Sequence, residues 1–212
     1  MGNAVDFRQA KSMYRPIVAF DFDGTLTVRD TFSAFLAWRE GPFGYLAGLV
    51  KLVPDIVDYL RDHDRGRLKA AVVARFLGGV ARADIEESAR RFAEGHARAL
   101  LRPDAVRAWR RWQSQGARLV IVTASPEEIV APFARGLGAE SLISTRLAYD
   151  GADRLTGALD GANCRGPEKV RRLKDAFGED LRLEAAYGDT DGDREMLAMA
   201  EQPGYRVFGD SP

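Results

Sequence analysis

The stretch Ile17-Val18-Ala19-Phe20-Asp21-Phe22-Asp23-Gly24-Thr25 decides the fold. Its apolar opening reads as a short strand buried on both faces, the kind a parallel sheet uses. Two carboxylates, Asp21 and Asp23, stand where that strand opens into a glycine-containing loop. In open α/β sheets ligands collect just beyond the carboxyl ends of the strands, so the position marks chemistry rather than packing. An i, i+2 pair in extended chain points the same way. Like charges held together are costly unless a cation or a proton intervenes, so the pair shares a metal or divides the roles of nucleophile and acid. The plainer reading is a polar strand end with a solvated turn.

Three further strand-to-loop junctions carry complementary pieces. Arg118-Leu119-Val120-Ile121-Val122 ends in Thr123-Ala124-Ser125, after which Pro126 and a Glu-Glu pair start a helix. A hydroxyl and free backbone N–H groups there suit an anion. Leu183 to Tyr187 ends in Gly188-Asp189-Thr190-Asp191-Gly192-Asp193, which offers only oxygen ligands and so suits a hard cation. Between them, Gly166-Pro167-Glu168-Lys169 opens another helix. A cation in a first helical turn opposes the macrodipole, so Lys169 calls for an anionic partner. The chain has five lysines among its 31 basic residues, which sets this one apart from surface filler.

Together these pieces resemble the haloacid dehalogenase superfamily of phosphatases and phosphotransferases, with all of that family's motifs in its order from residue 17 to about 200. The resemblance implies Asp21 as the nucleophile that attacks phosphorus and Asp23 as general acid and base, with magnesium as cofactor. It further implies that Asp21, the Asp23 carbonyl and Asp189 hold the metal, with Asp193 bound through water or standing behind the ligands. Phosphate would be held by Thr123, Ala124, Lys169 and the N–H groups around Phe22 and Gly24. More narrowly the chain is similar to the phosphoserine-phosphatase-like subfamily, and its Thr-Ala-Ser-Pro and Asn163 to Lys169 segments to the branch with CicA-like proteins and phosphatidylglycerophosphatase C. One departure is plain. Where phosphoserine phosphatases commonly carry Gly-Asp-Gly-Ala-Asn-Asp, Gly192 replaces the amide that would contact substrate, which puts phosphoserine itself in doubt.

The implied fold is α/β: a doubly wound, Rossmann-like parallel sheet core with an inserted helical cap. The core takes residues 16–29 and 101–212 and the cap residues 30–100, after a disordered lead-in over residues 1–15. Successive helices are expected at Asp30 to Trp38, Tyr45 to Val53, Ile56 to Arg61, Leu68 to Leu77 and Asp84 to Leu100, with Asp30 and Asp84 as N-caps and Gly78-Gly79 as a stop. A cap inserted after the nucleophile's loop would close over the site, exclude water and select the leaving group. Asp30 aligns with an acidic residue that contacts substrate in phosphoserine phosphatases, and Arg75 loosely resembles a substrate-binding cap arginine. The apolar surface Tyr45-Leu46-Leu49-Val50-Leu52-Val53 either packs the cap or receives an acyl chain, and packing is the commoner use of such a face. His63 and His96 have no paired ligands. Beyond the second motif the reading is a helix from Glu127 to Leu137, a strand from Leu142 to Arg146, a hairpin about Asp150-Gly151, a helix from Pro167 to Phe177 and a last strand from Tyr205 to Phe208.

Composition sets the outer limits. The chain's 212 residues, 46% of them hydrophobic, are enough for one α/β core and a small second module. Zero formal net charge argues against nucleic acid as a partner, and Arg107, Arg110 and Arg111 read as a solvated helix face. The lone Cys164 excludes an internal disulfide and fits a reducing cytoplasm. No export signal, myristoylation pattern or membrane-spanning stretch is evident. Three classes follow: a magnesium-dependent phosphatase acting on a small-molecule or lipid phosphomonoester, a phosphotransferase or phosphomutase using the same aspartyl phosphate, and a binding module that kept the fold.

Overall fold

A computed structural model describes residues 15–212. The lead-in expected over residues 1–15 lies outside the described residues except for Arg15, which pairs with Glu140 (2.8 Å). From strand β1 (Ile17–Phe20) the chain turns through the Asp21–Leu26 loop into four helices: α1 (Thr31–Lys51), α2 (Val53–Asp62), α3 (Arg65–Leu77) and α4 (Arg82–Leu100). Helix α5 (Pro103–Ser114), strand β2 (Arg118–Pro126), helix α6 (Glu127–Leu137) and strand β3 (Ser141–Thr145) follow. A hairpin of β4 (Leu147–Tyr149) and β5 (Leu155–Leu159) leads to α7 (Pro167–Phe177), β6 (Leu183–Gly188), the short α8 (Arg194–Leu197) and β7 (Ala200–Tyr205).

The sheet runs β3-β2-β1-β6-β7 and every neighbouring pair in it is parallel. This is the expected α/β class with a doubly wound sheet. Alternation along the strands feeds two apolar layers. Phe20 and Ile121 pack with Trp109 of α5 and Phe133 of α6, whereas Ala19, Val120 and Val122 pack with Leu173 of α7 and Met196 of α8. Trp109 is fully buried, its indole N–H donates to the Leu137 carbonyl (2.9 Å), and its ring lies 5.0 Å from that of Phe20. Arg107, Arg110 and Arg111 on the same helix are exposed, as a solvated face requires. Cys164 is fully buried in the second layer.

The helical insertion joins the sheet through two adjacent strand-like links. Val28 N–H donates to Leu100 O and Arg102 N–H to Leu26 O, both at 2.9 Å. Two of the expected helices are one element, α1, kinked at Gly41-Pro42 rather than broken. Its N-cap is Asp30, whose carboxylate accepts from Ser33 N–H (2.6 Å). Asp84, by contrast, sits in the first turn of α4 and Ala81 holds the N-cap position, so its acid serves the helix dipole instead. The apolar surface of residues 45–53 divides. Leu52 is buried and Tyr45 and Leu49 pack on the core, while Leu46, Val50 and Val53 stay exposed with Phe43, Val57 and Leu60 of the same two helices. Among the described residues no helix is long and apolar enough to cross a membrane.

The last strand needs correction. It lies at Ala200–Tyr205, ahead of the apolar Tyr205 to Phe208. Its Glu-Gln-Pro-Gly content lacks strand character, but it is an edge strand, where a proline costs no ladder bond, and pairing with β6 sets its register from Leu183↔Ala200 to Gly188↔Tyr205.

Candidate active site

The chain leaves β1 for β2 and β3 on one side and returns to β6 on the other, so the strand order reverses between β1 and β6. That reversal leaves a crevice at the carboxyl ends of the two strands. Asp21 ends β1 there, its N–H bound to Tyr187 O of β6 (2.8 Å), and Asp189 follows β6 directly. Lys169 in the first turn of α7 enters from below. Its Nζ donates to Asp21 Oδ1 (2.6 Å), Asp193 Oδ1 (2.6 Å) and the Val122 carbonyl (2.7 Å). This is the anionic partner its position demanded.

Asp21, Asp189 and Asp193 each present a carboxylate oxygen within 4.8 Å of the others. The turn between Asp189 and Asp193 is closed by Asp193 Oδ2, which accepts from Thr190 N–H (2.9 Å) and Thr190 Oγ1 (3.0 Å). Thr25 Oγ1 donates to Asp189 Oδ1 (3.1 Å). Gly24 has φ +84°, and a Cβ there would lie 2.3 Å from Asp189 Oδ2, so both backbone conformation and space require glycine. An oxygen-only, anionic donor set in a preformed cradle fits a hard divalent cation.

Asp23 faces away from this cluster. Its Oδ1 accepts from Thr31 N–H (2.6 Å) at the start of α1, and its Oδ2 from Ser125 Oγ (2.6 Å) and Thr123 Oγ1 (3.4 Å). Its carboxylate therefore takes no part in the acidic cluster of Asp21, Asp189 and Asp193. Thr123 Oγ1 also accepts from Ser125 N–H (3.0 Å). Phe22 is fully buried with its ring 5.5 Å from that of Phe133, so only its main chain can serve a ligand.

Burial sets the electrostatics. It pushes the Asp21 carboxyl up to about 7 against the pull of Lys169, and raises Asp23 with further help from Asp30 against the Ser125 and Thr31 bonds. For Lys169 burial disfavours the charge, but the Asp21 and Asp193 carboxylates outweigh it and hold the ammonium above its ordinary value. Asp193 is likewise opposed by burial and kept below the usual carboxylate range by Lys169. The result is one firmly charged lysine, one firmly charged aspartate and two aspartates that bind protons more readily than usual.

A cavity of about 550 Å³ opens above the cluster, lined by Asp21, Asp23, Gly24, Thr123, Ala124, Lys169, Asp189 and Asp193 below and by insertion residues above. Asp30 caps α1 and also lines the cavity. Arg75 does not line it and is exposed, a correction to the expected substrate contact. Six residues along α3 from Arg75, well round the helix at about 3.6 residues per turn, Lys69 faces the cavity instead and donates to the Ala124 carbonyl. Burial lowers its ammonium to about 8. Ser125, Arg165 and Lys69 are site residues that the motif reading missed. The rarity of lysine that singled out Lys169 applies equally to Lys69.

This arrangement is an acidic site at the switch point of a doubly wound sheet, and the chain belongs to the haloacid dehalogenase-like hydrolase family, whose model matches residues 18–198. Among curated proteins it is similar to Protein CicA of Caulobacter vibrioides, 59% identical over 196 residues that cover 92% of this chain and 88% of that protein. Among solved structures it is similar to a protein of unknown function from Bordetella pertussis Tohama I, with TM-score 0.75, 24% identity and coverage of 90% and 89% of the two chains. A phosphoserine phosphatase solved as a phospho-aspartyl intermediate analogue gives TM-score 0.57, 21% identity and coverage of 89% and 85%.

Proposed function

We propose that the protein is a magnesium-dependent phosphatase that hydrolyses a phosphomonoester through an aspartyl phosphate on Asp21. The observation that carries this reading is Lys169 Nζ bound at 2.6 Å to both Asp21 and Asp193, inside an acidic cluster that also contains Asp189. Phosphoryl transfer needs an in-line oxygen and neutralisation of charge on the equatorial oxygens. Lys169 orients the Asp21 carboxylate and contributes fixed positive charge beside the phosphorus, with Thr123 and the loop N–H groups as further donors. Magnesium held by Asp21, Asp189 and the Asp23 carbonyl, with Asp193 behind, would supply the remaining neutralisation.

In the first step an Asp21 oxygen bonds to phosphorus, the ester P–O bond breaks, and the leaving alkoxide takes a proton from Asp23. In the second, water attacks the same phosphorus while Asp23 accepts its proton, and the P–O bond to Asp21 breaks to release phosphate. A carboxyl raised by burial suits this role, and general acid–base help of this kind is worth about 10²–10⁴-fold. Residues 30–100 act as the cap and residues 16–29 with 101–212 as the catalytic core. The relationship to CicA favours the CicA-like branch, and a cytoplasmic location belongs to the same reading.

A narrower reading, a lipid phosphate such as phosphatidylglycerophosphate, is favoured by one observation. Phe43, Leu46, Val50, Val53, Val57 and Leu60 leave an exposed apolar face on α1 and α2, and α2 also brings Tyr59 to the cavity. The test is a phosphate-release screen over soluble and lipid phosphomonoesters with magnesium. Metal-dependent release is expected, and a purely soluble preference removes the lipid reading. Isomerisation of a sugar phosphate in place of release would turn the assignment to a mutase, and no turnover of any ester would end it.

A further inference from the structure

Three cations converge on the cavity above the acidic cluster: Arg65 and Lys69 from α3 and Arg165 from the loop before α7. Among the described residues none of them has a carboxylate within ion-pair distance, although the surface arginines of this chain are widely paired. Lys69 meets the neutral carbonyl of Ala124, and Arg165 Nη1 donates to Thr190 Oγ1 (3.2 Å), one bond from a group with five N–H donors. Arg65 and Lys69 stand four apart on one helical face, a spacing at which like charges repel. Burial disfavours the Lys69 charge, Asp23 and Asp30 favour it without pairing with it, and Arg165 acts against it. Such a set costs stability in the empty protein and is relieved by a bound anion.

Arg165 is placed there with some care. A Cβ on Gly192 would lie 2.4 Å from Arg165 Nη1 and 2.5 Å from its Cζ, so the glycine leaves room for the guanidinium against the Asp189–Asp193 turn. Gly166 N–H to Gly192 O (2.9 Å) fixes the stem of the loop. The phosphoryl group has its own partners on the cavity floor, namely Lys169, Thr123 and the cation site. Arg65, Lys69 and Arg165 are therefore available to a different anion.

We infer that the substrate carries a second anionic group on its leaving-group side, a carboxylate or a phosphodiester, and that Arg165, Lys69 and Arg65 select for it. This rests on the phosphatase reading for the identity of the first group, so the test measures binding without turnover. Calorimetry compares propylphosphonate, which has the phosphonate alone, with 3-phosphonopropionate, which adds a carboxylate, and methyl 2-phosphonoethyl phosphate, which adds a phosphodiester, all with magnesium. At least one doubly anionic probe should bind about tenfold or more tightly than propylphosphonate, and Arg165→Gln and Lys69→Met should bring that ratio to within about twofold of unity. Whichever probe leads identifies the soluble or the lipid-like source. Arg65→Gln changes an exposed side chain and provides a folded variant if the other two fail, with a smaller fall in the same ratio expected.

A ratio near unity in the wild type overturns the inference. So does a ratio that survives the substitutions, or substitutions that weaken all probes equally, since the cations would then serve the phosphoryl group. Absence of ester turnover with an intact ratio would sink the phosphatase reading and leave the second anion site standing.

Discussion

Replacing Asp21 by asparagine separates what the site costs from what it does. Asp21 is 7% exposed, and burial raises its carboxyl from 3.8 to about 7 despite Lys169. Between those values the folded chain binds more protons than the unfolded one, so its stability is fully present below the lower value and falls as pH rises through the higher. A rise of that size corresponds to about 4 kcal/mol at most. Asparagine stands in for the neutral carboxyl, and the rise is already net of the pull of Lys169, so the metal-free variant should gain up to about 4 kcal/mol at neutral to mildly alkaline pH. Urea unfolding followed by tryptophan fluorescence, at about pH 4 and about pH 8, should show the stability difference between Asp21→Asn and wild type growing with pH. Turnover of p-nitrophenyl phosphate should vanish in the same preparation. A variant whose relative stability does not grow across that window would refute the burial argument, and near-normal turnover would end the covalent mechanism.

Lys169→Met leaves two buried carboxylates without their counter-charge and should cost about 3–5 kcal/mol without metal, part of it recovered by magnesium, along with all turnover. A loss below about 1 kcal/mol in the same unfolding assay would contradict the ion-pair account. Gly24→Ala drives a methyl into Asp189 and should weaken magnesium binding about 10–100-fold by calorimetry, so unchanged affinity would dissociate Asp189 from the cation. Lys69 is lowered by burial from 10.5 to about 8, so the unfolded chain binds more protons between those values and stability gains from rising pH across them. Lys69→Met should flatten that gain when unfolding midpoints are compared at about pH 7.5 and about pH 9.5, and an identical slope in both proteins would show that Lys69 is not desolvated.

The motif residues were legible because their chemistry is local. A buried strand that ends in two acids, a lysine in a first helical turn and an oxygen-rich turn after a strand each carry their meaning within a few residues, as do the helix bounds Glu127–Leu137 and Pro167–Phe177. Lys69 and Arg165 were not legible as site residues, since only packing of α3 over the crevice and the missing side chain at Gly192 bring them to the cavity. Arg75 misled for the same reason, because a resemblance fixes the helix but not which face of it looks inward.

The chain by itself determined the class of the fold, the order of its motifs and the identity of the acids and lysine at the crevice, since periodicity and strand-end chemistry are properties of short segments. Tertiary structure alone decided that Asp23 turns to Thr31 and Ser125 while Asp21 turns to Lys169, that Ala200–Tyr205 and not the apolar residues after it forms the edge strand, and that half of an apolar helix face stays in water. Each of those outcomes depends on which distant surface a side chain meets, and burial against that surface outweighs local preference.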